Sequence, residues 1–348
     1  MTPDYLRAVS FSTPDHIPMI FHINDACWRH YPQERLFGLM EGHKLLFPSF
    51  ARPAGEYTPD YCPNARKDHT YTDDFGCLWA TSVDGIVGAI ISNPIADWNK
   101  LDDYIPPDPD FSMGVGPVNW EEETVRIQRE KNENGFAKAG LRHGHSFLQL
   151  CYLRGYENLL IDMAEGDGRI WKLIGIVEDF NLHIVSKYVD MGVDVMLYPE
   201  DLGMQHGPML SPRLFRKYIK PSFERLMKPA AAEGIAVHMH SDGDIRQLAD
   251  DLTDCGVNIL NLQDLVNGID WIAAKYRGRL CVDLDIDRQK VTPYGTPGQI
   301  DALIKEEVEK IAVREGGLIM TYGLYPGVPL ENVGALMDAM EKYAFYYS

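Results

Sequence analysis

The sequence predicts an α/β protein of the (β/α)8 class, a TIM barrel, on three observations. From about residue 135 onward, short apolar runs alternate with amphipathic stretches of helical periodicity, as repeated βα units around a parallel sheet require. No G-x-G-x-x-G motif follows any of these runs, which argues against a dinucleotide-binding sheet. With 348 residues and 45% hydrophobic content, the chain can bury the core of a barrel.

The strands are predicted from short runs that read as buried on both faces. The first strand is placed near residues 17–23 and another around 140–150. Five more are predicted at 193–198, 235–240, 257–262, 279–284 and 318–322.

The helices between these strands are predicted from their terminal residues. Ser211 and Thr296 each precede a proline, and proline suits the first position of a helix. Asp244 is predicted to cap a third helix, which Gly256 ends before the next strand begins. Together these signals give complete strand, helix, strand units.

The segment from about residue 25 to 135 is rich in proline, aromatic residues and aspartate, and differs from the rest of the chain. We predict that residues 1–348 form one barrel domain and that this segment is an insertion covering the barrel mouth. Its aromatic side chains either cover a substrate or pack in the core. They are Trp28, Tyr57, Tyr61, Phe75 and Trp79.

Charge and cysteine content narrow the class of protein further. The 33 basic and 51 acidic residues give a net charge of −18, which argues against nucleic acid or an anionic membrane as a partner. Six cysteines without a C-x-x-C pair indicate neither a disulfide framework nor a zinc ribbon. With no signal peptide pattern and no long apolar run, a cytoplasmic location is expected. Whether the protein forms a homodimer stays open.

Most candidate site residues follow predicted strands, because the carboxyl ends of barrel strands face the active site, and the others lie within or near a predicted strand. We predict catalytic roles for a set of polar residues at these ends: Glu200, His240, Asp242, Asp283 and Tyr322. Substrate-binding roles are predicted for His22, Asn24, His145, Asp201 and Gln263. His143, two residues before His145, is a further candidate.

A zinc site is one interpretation of this edge of the barrel. His240 and Asp242 are two residues apart at a strand end, so both can bind one Zn²⁺, with Glu200 as third ligand and Tyr322 behind it. Two alternatives stay open. Asp242 can cap a helix while His240 is bonded within the barrel wall, or His240 can act as an acid or base without metal.

Several segments resemble the uroporphyrinogen decarboxylase superfamily and its corrinoid methyltransferase branch. Residues 238–248, HMHSDGDIRQL, followed by DCGVNILN at 254–261, resemble the His-x-Cys-Gly-Asn region of that superfamily. Support comes from DDFGCLW at 73–79, EDLG at 200–203, PMLSP at 208–212 and PLENV at 329–333. The resemblance implies a (β/α)8 barrel with its site at the strand carboxyl ends.

Two departures from the family pattern shape the expected reaction. The decarboxylases hold their substrate with an Arg-Gln-Ala-Gly-Arg motif, where this chain has FHIND at 21–25. The thiol methyltransferases hold zinc with His, Cys and Cys, and here Asp242 and Tyr322 take the cysteine positions. Because oxygen replaces sulfur, the site suits polarising an oxygen.

The resemblance therefore implies a methyltransferase that moves a methyl group from an O-methyl compound, for instance a methoxylated aromatic, to the cobalt of a corrinoid protein. The expected cofactors are Zn²⁺ and a corrinoid carried by that partner protein. One alternative is a decarboxylase of a small carboxylated substrate, which Arg29, Arg142 or Arg154 at the mouth would support. Another is a barrel without catalysis that serves as a partner subunit.

Overall fold

The computed structural model describes residues 2–347, and its strands follow the chain in short segments. The strands are β1 Met19–Ile23, β2 Tyr71–Thr72, β3 Leu78–Ala80, β4 Ala89–Ser92, β5 Lys138–Gly140, β6 Val195–Pro199, β7 Gly203–Met204, β8 Gly207–Pro208, β9 Ala236–Ser241, β10 Ile259–Gln263, β11 Cys281–Asp285 and β12 Leu318–Leu324. The strands predicted near 17, 193, 235, 257, 279 and 318 are thus confirmed within two residues at either end.

Helices occupy most of the chain between these strands. The α-helices are α1 Asp4–Val9, α2 Cys27–His30, α3 Gln33–Gly42, α4 Trp120–Asn134, α5 Phe147–Arg154, α6 Tyr156–Glu165, α7 Arg169–Asp190, α8 Pro212–Leu214, α9 Lys220–Ala232, α10 Ala249–Asp254, α11 Asp264–Asn267, α12 Ile269–Tyr276, α13 Val291–Tyr294, α14 Pro297–Ile311 and α15 Leu330–Ala344. Short 3-10 helices lie at Pro63–Ala65 and Trp98–Lys100, and a π-helical turn at Phe215–Ile219 joins α8 to α9. Within residues 2–347, no helix has the length and apolar composition needed to cross a bilayer.

The chain divides into two compact units. Unit one comprises residues 69–80 and 88–261, and unit two comprises residues 2–68, 81–87 and 262–347. Strand β10 has residues in both units. This division does not decide whether residues 1–348 form one barrel domain or whether 25–135 cover its mouth, and both stay predictions.

Unit one is built on the parallel strands β5, β6 and β9. Strand β6 pairs with β5 and with β9, so that Gly140 lies opposite Leu197 and Pro199 opposite His240. Helix α7 packs against α9 and buries Leu173, Val177 and Ile184, which recur at helical spacing on one face. The same unit contains a three-stranded antiparallel sheet of β2, β3 and β4 and the hairpin of β7 and β8.

Unit two is built on β12, which pairs in parallel with β1 and with β11. Helix α14 packs against α15 and buries Ile300, Ile304, Val308 and Ile311. Parallel strands covered by amphipathic helices are therefore common to both units, as the βα rhythm of the sequence predicts.

The strand predicted around 140–150 is wrong over most of its length. Strand β5 ends at Gly140, and the apolar run that begins at Phe147 is helix α5. Almost all residues of α5 are buried, and periodicity alone does not separate a buried helix from a buried strand.

The helix that Asp244 was expected to cap begins later than predicted. Helix α10 starts at Ala249, after a turn, and the carboxylate of Asp244 pairs with the guanidinium of Arg246 at 2.7 Å. Asp244 also accepts the backbone N–H of Arg246 at 3.2 Å, so it stabilises the turn before α10 and does not cap that helix directly.

The aromatic residues of the predicted insertion pack against other rings. Trp28 lies 4.8 Å from Tyr57 between ring centroids in unit two. In unit one, Phe75 contacts Phe180 and Trp79 contacts Tyr152. Each of these four rings thus packs against another ring of its own unit, while a role in covering a substrate stays a prediction.

The predicted start of α14 is confirmed, and it allows a direct test. The hydroxyl of Thr296 accepts the backbone N–H of Gln299, whose side chain accepts the backbone N–H of Thr296 in return. Thr296→Ala is expected to lower the free energy of unfolding by about 1 kcal/mol, because one N–H at the helix start loses its acceptor. Urea denaturation measures this, with Thr296→Ser as the control that keeps the hydroxyl. Equal losses in both variants would contradict the capping role.

Candidate functional site

The candidate site lies in unit one, where β5, β6 and β9 end at the same edge. The register that places Pro199 opposite His240 brings the residues following β6 next to the end of β9. The backbone N–H of Glu200 donates to the carbonyl of His240 at 3.0 Å, and that of Gly144 donates to Pro199 at 2.9 Å. Side chains from three separate segments therefore meet at this edge.

Asp201 lies between two histidines. One carboxylate oxygen is 3.3 Å from Nε2 of His143, and the other is 3.6 Å from Nε2 of His240. One ligand atom from each of these three residues lies within 4.8 Å of the others, a spacing suited to one metal ion. The three side chains are 49%, 26% and 23% exposed for His143, Asp201 and His240, so a ligand can reach them.

Opposite charges in this cluster shift the pKa values of Asp201 and His143. Burial disfavours ionisation of Asp201, but the hydrogen bond from His143 and the charges of both histidines outweigh it and lower its pKa to about 2. Burial likewise disfavours the charged form of His143, yet Asp201 and the neighbouring carboxylates raise its pKa. Asp201 is therefore a carboxylate at neutral pH.

Two glycines, Gly203 and Gly243, allow the loop after β6 and the loop after β9 to lie in close contact. A Cβ atom on Gly243, whose φ is +80°, would lie 2.2 Å from the carbonyl carbon of Gly203. Across this contact the N–H of Asp244 donates to Met204 at 2.7 Å, and the N–H of Asp242 donates to the carboxylate of Asp201 at 3.0 Å. The position of Asp201 thus depends on a close approach of two backbones.

His240 is oriented by Asn261, which follows Leu260 in β10. Nδ1 of His240 makes a short hydrogen bond to the amide oxygen of Asn261. Because that oxygen is an acceptor, Nδ1 is the donor of this bond, and Nε2 is the ring nitrogen that faces Asp201. Metal-binding imidazoles are commonly oriented by such a bond from their other ring nitrogen.

Glu200 is placed differently from the predicted third ligand. Its carboxylate is fully buried and accepts the backbone N–H groups of Ser146, Phe147 and Leu148 at 2.6, 3.0 and 3.1 Å. Burial raises its pKa to about 7, although these N–H groups oppose the shift. Glu200 therefore anchors the start of α5, where N–H groups of a helix lack partners, and it is not part of the three-residue cluster.

Asp242 and His145 are the other predicted site residues of unit one. Asp242 is 39% exposed, and its carboxylate lies 4.0 Å from Nε2 of His240, next to the cluster. His145 is buried against Tyr198 and Phe223, and its Nδ1 is bonded to the hydroxyl of Ser146 at 2.7 Å. Burial lowers the pKa of His145 to about 3, so its ring is neutral and belongs to the core.

The catalytic residues predicted in unit two are buried. Asp283 accepts the hydroxyl of Thr321 at 2.6 Å, and Tyr322 has no exposed surface and donates to Thr292 at 3.2 Å. Burial raises the pKa of Tyr322 to about 12, so it is a neutral phenol. Their catalytic roles stay predictions.

The predicted substrate-binding residues of unit two differ in exposure. His22 is exposed on β1, while Gln263 is buried at the end of β10. The side chain of Asn24 accepts the N–H of Ala26 at 2.9 Å and so shapes the turn after β1. Substrate binding by these residues likewise stays a prediction.

Sequence reasoning missed how His143 and Asp201 combine with His240. The signal for Asp201 was present, because it follows the strand predicted at 193–198, whereas His143 fell inside the strand predicted around 140–150 and follows a strand end only because β5 ends at Gly140. What was lacking was the register of β5, β6 and β9, which selects Asp201 over Glu200 and brings His143 alongside it.

The chain matches the model of one protein family and is similar to two kinds of known enzyme. The model of the family "Uroporphyrinogen decarboxylase (URO-D)" matches residues 74–343. The chain is similar to human uroporphyrinogen decarboxylase, with 26% identity over 151 residues, which are 40% of this chain and 39% of that protein. It is also similar to the methylcobamide:CoM methyltransferase MtaA of Methanosarcina barkeri, with 29% identity over 163 residues, 44% of this chain and 43% of the relative. The matched part thus spans about two fifths of each curated relative.

Among solved structures, the chain resembles a methyltransferase from Methanosarcina mazei. The TM-score is 0.67 at 17% identity, and the match covers 100% of both chains. At this identity the likeness establishes the fold alone. It confirms the predicted α/β barrel class.

Proposed function

Because this chain belongs to the uroporphyrinogen decarboxylase family, a family of enzymes with a methyltransferase among its relatives, we propose that it moves a methyl group from an O-methyl compound to the cobalt of a corrinoid protein. The observation that carries the proposal is the cluster of His143, Asp201 and His240, which offers nitrogen and oxygen atoms without a thiolate. Such donors favour chemistry at an oxygen over activation of a thiol.

The cluster fits a divalent cation such as Zn²⁺. Two imidazoles and one carboxylate match the three protein ligands of catalytic zinc sites, and the partial exposure of the side chains allows a further ligand to bind. Asn261 supports the fit, because its bond to Nδ1 leaves Nε2 of His240 as the nitrogen that would bind the cation. When bound, the cation supplies a Lewis acid for the ether oxygen of the methyl donor.

The reaction breaks the bond between the methyl carbon and the ether oxygen, and the electron pair of that bond stays on the oxygen. The methyl group is received by reduced cobalt of the corrinoid partner. Residues of this chain place the donor oxygen at the cluster, where Asp201 keeps both imidazoles in position. Asp242, next to His240, is a second carboxylate beside the cluster and helps to position the donor there.

The assay uses the purified protein, a reduced corrinoid protein and a panel of methoxylated aromatic compounds. We expect one demethylated product for each methylated cobalt, measured by mass spectrometry and by the change in corrinoid absorbance. His240→Ala is expected to be inactive in the same assay. Release of carbon dioxide from a carboxylated substrate without corrinoid protein would instead support a decarboxylase, and equal activity of wild type and His240→Ala would contradict the site.

The role of Asn261 gives a second test of the metal centre. Asn261→Ala is expected to weaken zinc binding by about 10- to 100-fold, because His240 loses the acceptor that orients it. Asn261→Asp keeps an acceptor oxygen and is expected to bind zinc at least as well as the wild type. Competition with a chromogenic chelator measures both affinities, and unchanged binding by Asn261→Ala would show that Asn261 is not required.

A further inference from the structure

Glu307 is an acidic residue in the apolar face of helix α14. It lies one turn from Leu303 and Ile304 and one turn from Ile311, which are all buried in unit two, and it has no exposed surface itself. Neither oxygen of its carboxyl group receives a hydrogen bond from an N–H or O–H group of residues 2–347. A carboxylate without donors is very unfavourable in a protein core, so this group is expected to be neutral.

The partner of Glu307 is Asp264, at the start of α11. Asp264 is buried as well, and the two carboxyl groups are hydrogen-bonded to each other, which requires a proton on one of them. The oxygens of Asp264 accept the backbone N–H groups of Leu265 at 2.5 Å and of Asp287 at 2.8 Å. Such bonds favour the charged form, so Asp264 is the carboxylate of the pair and Glu307 is the donor.

The charges nearest to Glu307 keep the proton in place. Burial raises the pKa of Glu307 well above its ordinary value, and the negative charge of Asp264 and the bond to it raise this pKa further. Asp287 and Glu306 contribute in the same direction. The principal charged contributors are thus three carboxyl groups, which all oppose ionisation of Glu307.

The helices packed against α14 hold their basic groups in other contacts. Asp270 of α12 pairs with Lys310 at 2.7 Å, and Lys342 of α15 pairs with Asp301 at 2.7 Å. The other titratable residues of α12, α13 and α15 lie outside the principal contributors to the pKa of Glu307, and they are Lys275, Tyr276, Tyr294, Glu331, Asp338, Glu341 and Tyr343.

We propose that Glu307 and Asp264 share one proton, and that this pair is a pH-sensitive element that anchors the loop after β11. Asp264 holds the N–H of Asp287, whose carboxylate accepts the N–H groups of Lys290 and Val291 at the start of α13. Loss of the proton would place two charges together in the core, so the pair must separate and the loop loses its anchor. The pair lies in unit two and acts independently of the proposed methyl transfer.

Stability is expected to fall as the pH rises. Folded Glu307 keeps a proton that the unfolded chain releases above the ordinary pKa of 4.5. The stabilisation is therefore complete below that pH and is lost as the pH rises towards the pKa of the folded state. Within this interval the group favours unfolding by about tenfold for each pH unit.

Urea denaturation at pH 6 and pH 8 compares the wild type with Glu307→Gln, whose amide donates to Asp264 without titrating. Between these pH values the unfolding constant of the wild type, relative to that of the variant, is expected to rise about 10- to 100-fold. Glu309→Gln removes an exposed carboxylate from the same helix and is expected to follow the wild type. Amide hydrogen exchange at Asp287 and in α13 is expected to be faster at pH 8 in the wild type than in Glu307→Gln.

An identical pH dependence of stability in the wild type and Glu307→Gln would overturn the shared proton. So would infrared spectra at pH 8 in which the wild type, compared with the variant, lacks an additional carbonyl band of a protonated carboxylic acid. Equal exchange at Asp287 and in α13 in both proteins would overturn the anchoring of the loop. If Glu307→Gln does not fold, Glu307→Met takes its place in all three measurements, because it fills a similar volume without an ionisable group.

Discussion

Asp201→Asn is expected to lose bound zinc and methyl transfer together, whereas Asp242→Asn is expected to keep the zinc. Asp201 supplies the only carboxylate of the His143 and His240 cluster, and its two oxygens face both histidines. Asp242 lies 4.0 Å from His240 and outside the cluster. Since removal of a supporting residue already costs about 10- to 100-fold in metal affinity, loss of Asp201 is expected to cost more.

Elemental analysis of the purified wild type and both variants measures the metal directly, and a chelator titration gives the affinities. About one zinc per chain is expected in the wild type and in Asp242→Asn. The reverse pattern, with zinc lost from Asp242→Asn and kept in Asp201→Asn, would restore the ligand set predicted from sequence. Absence of zinc from all three proteins after growth and purification with added zinc would refute the metal centre.

Gly243→Ala is expected to lower the free energy of unfolding by about 3 kcal/mol or more, because it combines backbone strain with a steric clash. Its φ of +80° disfavours any side chain, and the added Cβ would lie 2.2 Å from a backbone carbon of Gly203, a clash that only a shift of backbone can relieve. The two loops must move apart to accommodate the side chain of the new alanine. We therefore also expect weaker zinc binding, since one loop carries Asp201 and the other directly follows the strand that carries His240.

Gly234→Ala is the matched control for this prediction. Gly234 has a similar φ of +70°, but a Cβ there would have no neighbour within 4 Å. Only the backbone strain remains in this variant. We therefore expect the free energy of unfolding to fall by about 1 kcal/mol and zinc binding to stay unchanged. Urea denaturation of both variants separates the two effects, and equal losses would show that the contact between the loops contributes nothing.

The apolar runs of the sequence were sufficient to locate most strands. The run predicted at 318–322 is β12, Leu318–Leu324, because a strand buried on both faces needs a continuous apolar segment. The start of α14 was equally predictable, since the Thr296 cap and the following proline act locally. The structure of the apolar run after Gly140 was not predictable, because a buried run can form either a strand or a helix such as α5.

For the candidate site, the sequence by itself determined that acidic residues and histidines follow the strand ends, because that requires only the order of residues along the chain. Only the tertiary structure decided that Asp201 faces His143 and His240 while Glu200 accepts the N–H groups of α5. Adjacent residues at a strand end point in different directions, and their partners come from distant segments. The register of β5, β6 and β9, together with the contact between Gly203 and Gly243, therefore selects which carboxylate joins the cluster.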